Sequence, residues 1–140
     1  MRSCFVVGCV MAIAVILAAC AKNAVETGEV SGVVKLGGRP LAEATVQFIP
    51  EQGRMSMATT DESGHYDLAY SGTRMGALVG RHKVRISTWR APDGDRNLPG
   101  APERVPMKYN AASELTGEVK PGPNEINFDL ETKGRIQQIH

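Results

Sequence analysis

The residues best suited to chemistry are few and scattered. His65, His82 and His140 are the three histidines, and none has a Glu three positions on or a partner at metal-ligand spacing. A catalytic zinc needs three such ligands with a fourth position left open; these histidines read instead as solvated or packed side chains, and no metal or cofactor is expected. Asp93-Gly94-Asp95-Arg96-Asn97 begins like a calcium loop, but the sixth and twelfth places hold Leu98 and Arg104 where Gly and Glu are required. It reads as an Asx-rich turn, and a weak calcium site shared with Glu103 is the alternative. No Gly-x-Ser-x-Gly elbow and no Gly-rich phosphate cradle occurs. No catalytic residue is therefore assigned, and the chain reads as a non-enzyme. What remains is Trp89, the only tryptophan. Strand parity puts it on one face with Arg85 and Lys83, a combination that could stack on a sugar or anchor a partner. The competing reading is that the following loop folds back and uses Trp89 as a lid.

The cysteines do different work. Met1-Arg2-Ser3 precedes an apolar stretch from Phe5 to Leu17, and Lys22-Asn23 ends it. A spanning helix would need roughly 20 apolar residues. One Arg, an apolar core of about a dozen residues and small residues before the break are instead a secretory signal. Leu17-Ala18-Ala19-Cys20 resembles the lipobox of bacterial lipoprotein precursors. The resemblance implies cleavage before Cys20, a diacylglycerol on its thiol, and acylation of the new amine by a chain such as palmitate. The expected location is the bacterial cell envelope, facing the periplasm or exterior. Each buried methylene adds about 0.8 kcal/mol, so two or three chains hold the protein at a membrane while one does not.

Cleavage would change the composition that matters. Cys4 and Cys9 leave with residues 1–19 and Cys20 carries lipid, so no thiol remains for a disulfide even in a permissive compartment. Loss of Arg2 leaves 15 basic side chains against 15 acidic ones. A neutral chain with no run of like charge argues against nucleic acid and against a polybasic membrane patch. About 120 residues suffice for one domain with its own core.

Those residues must be positioned by strands. No stretch after Cys20 repeats apolar side chains at helical spacing. Short alternating runs separated by Gly, Pro, Asp and Asn predict strands over 29–36, 44–49, 56–60, 65–70, 80–89, 115–120 and 124–130. Asp61-Glu62-Ser63-Gly64 suits a type I turn closed by a left-handed residue, joining the third and fourth runs as a hairpin. Pro121-Gly122-Pro123 joins the last two in the same way. Along 80–89, Val84, Ile86 and Thr88 face one side and Lys83, Arg85, Ser87 and Trp89 the other. The expected fold is all-β, an antiparallel seven-stranded sandwich after an N-terminal signal helix. Residues 20–28 form the lipidated cysteine and its tether, 29–130 the sandwich, and 131–140 a polar tail. The segment 91–112 carries four of the eight prolines and no alternation, a structureless insertion of a length that is usually functional or mobile.

Two stretches resemble the carboxypeptidase regulatory-like domain. They are Val30-Ser31-Gly32-Val33-Val34 through Gly38-Arg39-Pro40-Leu41-Ala42-Glu43-Ala44-Thr45-Val46, and Thr60-Asp61-Glu62-Ser63-Gly64-His65-Tyr66. Gly80-Arg81-His82-Lys83-Val84-Arg85-Ile86 resembles that family's next strand, so the likeness spans most of residues 29–89. It implies a prealbumin-like (transthyretin-like) sandwich that stabilises or displays rather than reacts. The related hydroxyisourate hydrolases end in Tyr-Arg-Gly-Ser, whereas this chain ends in Gln137-Gln138-Ile139-His140. The function expected from the sequence is a lipid-anchored, non-catalytic structural or protein-interaction module of the envelope. The alternative is a carbohydrate-binding module using Trp89 and the 91–112 loop, weakened by an aromatic content of only 5%.

Overall fold

The computed structural model describes residues 25–137, so the lipobox Leu17, Ala18, Ala19 and Cys20, the signal segment and His140 lie outside the described residues. Ten strand segments and one short 3₁₀ turn make up the ordered structure: β1 (Thr27–Leu36), β2 (Arg39–Pro40), β3 (Thr45–Pro50), β4 (Ser56–Thr59), β5 (His65–Asp67), β6 (Ala77–Leu78), β7 (Gly80–Ser87), the turn Met107–Tyr109, β8 (Thr116–Val119), β9 (Gly122–Glu125) and β10 (Phe128–Leu130). The expected seven become ten because β2 and β6 are two-residue additions and the last run is broken at Ile126-Asn127 into β9 and β10.

Two sheets face each other in a sandwich-like arrangement. One is antiparallel throughout, in the order β4-β3-β7-β8. The other is built around β1, which pairs antiparallel with β2, β5 and β6 but parallel with β9 and β10. Val30 and Val34 of β1, Tyr66, Phe128 and Leu130 meet Val46, Phe48, Val84 and Ile86 of the opposing sheet in one buried cluster. Phe48 and Phe128 close the gap between layers edge to face, with centroids 6.1 Å apart. The alternation along β7 is as its sequence predicts: Val84, Ile86 and Thr88 are buried, Lys83 and Trp89 exposed, Arg85 and Ser87 half-buried.

Both expected hairpins are corrections. β4 belongs with β3, and β5 belongs with β1, so the arms on either side of Asp61–Gly64 lie in different sheets. The turn itself forms as its residues dictate. Asp61 Oδ1 accepts from the Ser63 N–H at 2.9 Å, the Ser63 hydroxyl at 2.7 Å and the His65 N–H at 3.0 Å, while Gly64 takes φ +79°. These donors, the Ser63 hydroxyl first, hold the Asp61 carboxyl below the usual carboxylate range. Beyond the turn the arms splay, and hairpin pairing survives only where Met57 and Ala69 exchange backbone hydrogen bonds of 3.1 and 3.0 Å.

The second link, Pro121–Pro123, also crosses between sheets. Two prolines remove the donors a hairpin ladder would need. Asn124 supplies the missing bonds: its Oδ1 accepts from Lys120 N at 2.9 Å, and its Nδ2 donates to Lys120 O at 2.8 Å and to Glu29 O at 2.9 Å. That crossing lays β9 beside β1 in parallel.

The 91–112 segment is structured, contrary to expectation. Arg90 and Ala101 exchange backbone hydrogen bonds of 3.0 and 2.9 Å, and Asp93 pairs with Leu98, so 90–101 is an irregular hairpin. A short strap and the 3₁₀ turn follow. The strap is held by Glu103, a residue only 7% exposed.

Candidate functional site

The 91–112 excursion leaves β7 just after Ser87, and its return determines what the outer face of the antiparallel sheet looks like. Glu103 is the fastening point. It accepts from the Thr88 N–H at 2.9 Å, the Val105 N–H at 3.1 Å and the Thr88 hydroxyl at 3.2 Å, and the Ser87 hydroxyl donates to its other oxygen. Thr88 Oγ1 in turn accepts from Arg104 N at 2.7 Å. A buried carboxylate is stable only when its acceptor sites are filled in this way. Glu103 is therefore committed to closing the loop. Asp93 is committed elsewhere, its Oδ1 accepting from Arg96 N at 3.2 Å within the Asx turn. A calcium site shared by the two is not assembled, and no cluster of three or more His, Cys, Asp or Glu side chains occurs among the described residues.

Asn110 shapes the far wall. Its Nδ2 reaches the carbonyls of Ile86 and Val105, each at 3.2 Å, and its Oδ1 accepts from Ala111 N at 2.8 Å. Between this wall and Trp89 lies a cleft of about 410 Å³. Its floor is the outer face of three strands: Thr45 and Gln47 from β3, Met57 from β4, Arg85 and Ser87 from β7. Register aligns them, since Gln47 stands opposite both Met57 and Arg85 and Thr45 stands opposite Ser87.

Trp89 is 38% exposed, so the loop does not cover it as a lid. The reason is geometric. Glu103 draws the returning strap to Thr88, on the inward side of the chain, while residues 94–98 at the hairpin tip stand exposed. The structure thus brings Trp89 and Arg85 together and leaves Lys83 out. Lys83 is exposed on the same side of β7 but lines a separate cleft with Ile49, Pro50 and Leu115. Thr45, Gln47, Met57 and Asn110 were not legible as site residues. Outward parity on β3 marks Thr45 and Gln47, but nothing in the sequence gives the register that sets them beside Arg85.

Of the two described histidines, His65 is partly exposed beside Asp67, with Nε2 3.1 Å from Asp67 Oδ2. His82 is buried against Phe48, with Nε2 2.7 Å from the Leu78 carbonyl and an Nδ1 that has no hydrogen-bond partner. Neither lines the Trp89 cleft. Comparison with protein-family models, with curated proteins and with solved structures finds no match.

Proposed function

We propose that this chain is a non-catalytic binding module carried at the bacterial envelope by lipid on Cys20, and that the Trp89 cleft is its contact surface. The protein would face the periplasm or exterior on the 20–28 tether. Its fold would be a variant of the prealbumin-like sandwich of carboxypeptidase regulatory-like domains. The Asp61–Gly64 turn and the buried Tyr66 support that kinship; the parallel β9 and β10 are features to be accommodated within it.

Between a protein partner and a saccharide, one observation favours the saccharide. A lone tryptophan stands exposed at the wall of a small cleft whose floor offers an amide and a hydroxyl, Gln47 and Thr45. An aromatic ring stacks on the C–H face of a sugar while polar neighbours meet its hydroxyls. The protein-interaction reading retains one feature of its own, the exposed Leu98 at the tip of the 90–101 hairpin.

Two experiments test this reading. Cys20→Ser is expected to release the protein from the membrane or leave it unprocessed; a variant that is cleaved normally and still partitions with membranes refutes the anchor. Binding to an oligosaccharide array is expected to disappear in Trp89→Ala. An envelope protein that co-purifies with Trp89→Ala but is lost on deleting residues 93–104 would move the contact surface to the hairpin tip.

A further inference from the structure

Arg85 is the unexplained group in the cleft. Its Nε is buried and has no hydrogen-bond partner. The ion pairs among the described residues join His65 with Asp67, Arg96 with Asp93, and Lys108 with Glu131, and none includes Arg85. Glu103 lines the same cleft but forms no ion pair with Arg85, its carboxylate accepting instead from Ser87, Thr88 and Val105. Across the strand pair Arg85 faces Gln47, which is neutral. A buried guanidinium donor left unmade costs about 1–3 kcal/mol, so such a group in a native fold calls for a partner.

From this we infer that the Trp89 cleft takes an acidic saccharide, with Arg85 receiving the sugar carboxylate. The inference rests on the saccharide reading above. A guanidinium is a planar fork of N–H donors that matches the two oxygens of a carboxylate. Trp89 lies four residues along the chain on the same outward face, where it can hold the ring carrying that carboxylate. Gln47 and Thr45 then remain for ring hydroxyls. One cation and no group of converging backbone donors suit a singly charged carboxylate better than a phosphate.

The test is calorimetric titration of the full chain, kept in a zwitterionic detergent without sugar headgroups. The ligands are trimers of galacturonate, glucuronate and mannuronate, each paired with its methyl ester. At least one acid is expected to bind about tenfold more tightly than its ester. Arg85→Gln should lower the acid to the ester's affinity while leaving the ester unchanged, and Arg85→Lys should fall between. Thermal unfolding of each variant, expected at or above the parent's midpoint, checks that the sheet is intact. Equal binding of acid and ester, or a preference that survives Arg85→Gln, overturns the carboxylate inference and leaves the saccharide reading standing. Failure of every acid and every ester overturns both. Inorganic sulfate that competes as tightly as the acid would make this a general anion site and also overturn the inference.

Discussion

Tyr66 and Trp89 are both aromatic side chains with a polar handle, and the two sheets use them in opposite ways. Tyr66 lies in the β1 sheet at 1% exposure, packed near Phe128, with its hydroxyl donating to the Ile126 carbonyl. Every part of it has a partner. Trp89 follows β7 in the other sheet, 38% exposed, lining a cleft with an arginine whose Nε has none. The first region is closed and self-satisfied; the second is held open by a clasp. Structural demand explains Tyr66 fully but stops short of Trp89, and that contrast is what turns attention to the β7 face as a binding surface.

The clasp gives the largest way to break the contrast. Glu103→Ala would strand the Thr88 and Val105 N–H groups, for an expected loss of about 4 kcal/mol. Chemical denaturation measures it, and hydrogen exchange should show the 91–112 backbone opening first. On the closed side, a Cβ on Gly32 would sit 1.9 Å from the Ile126 oxygen, the same carbonyl that receives the Tyr66 hydroxyl. Gly32→Ala should therefore cost about 3 kcal/mol, again by denaturation, and leave the Trp89 face unaltered.

Tyr66→Phe should cost about 1 kcal/mol near neutral pH by removing that hydroxyl's bond. Burial pushes the Tyr66 phenol above its ordinary value. Below pH about 10 the residue is neutral both folded and unfolded. As pH rises beyond that, the unfolded chain ionises while the folded one resists, so the parent loses stability that the Phe variant keeps. Denaturation midpoints measured through pH 9 to 11 should accordingly converge. Trp89→Ala comes last for stability, at about 0.5 kcal/mol or less. A stability loss as large as that of Tyr66→Phe would make Trp89 a packing residue and erase the contrast.

The alternation of side chains carried most of what was legible. Period-two patterning located every long strand and assigned the two faces of β7 correctly, because burial on one face is a local property of the run. Sheet membership was not local. The Asp61–Gly64 and Pro121–Pro123 links carry hairpin turn chemistry, yet a turn fixes only its own dihedrals and says nothing of whether its arms stay paired or splay into facing layers. Asn124, which makes the second crossing feasible, is indistinguishable in sequence from any loop asparagine. The clasp was equally hidden. Proline content marks 91–112 as irregular, but its order depends on one carboxylate meeting donors at 87, 88 and 105, a tertiary fact. The same arrangement exposes Trp89, so the site's tryptophan and arginine could be named from the sequence while its cleft could not.

The most direct test of the central claim compares the parent chain with Trp89→Ala by isothermal titration against the oligosaccharides bound on an array. Saturable binding by the parent and at least a tenfold loss in the variant, about 1.4 kcal/mol, are expected, with unfolding midpoints nearly unchanged. Saccharide affinity that is identical in the two proteins would contradict the claim.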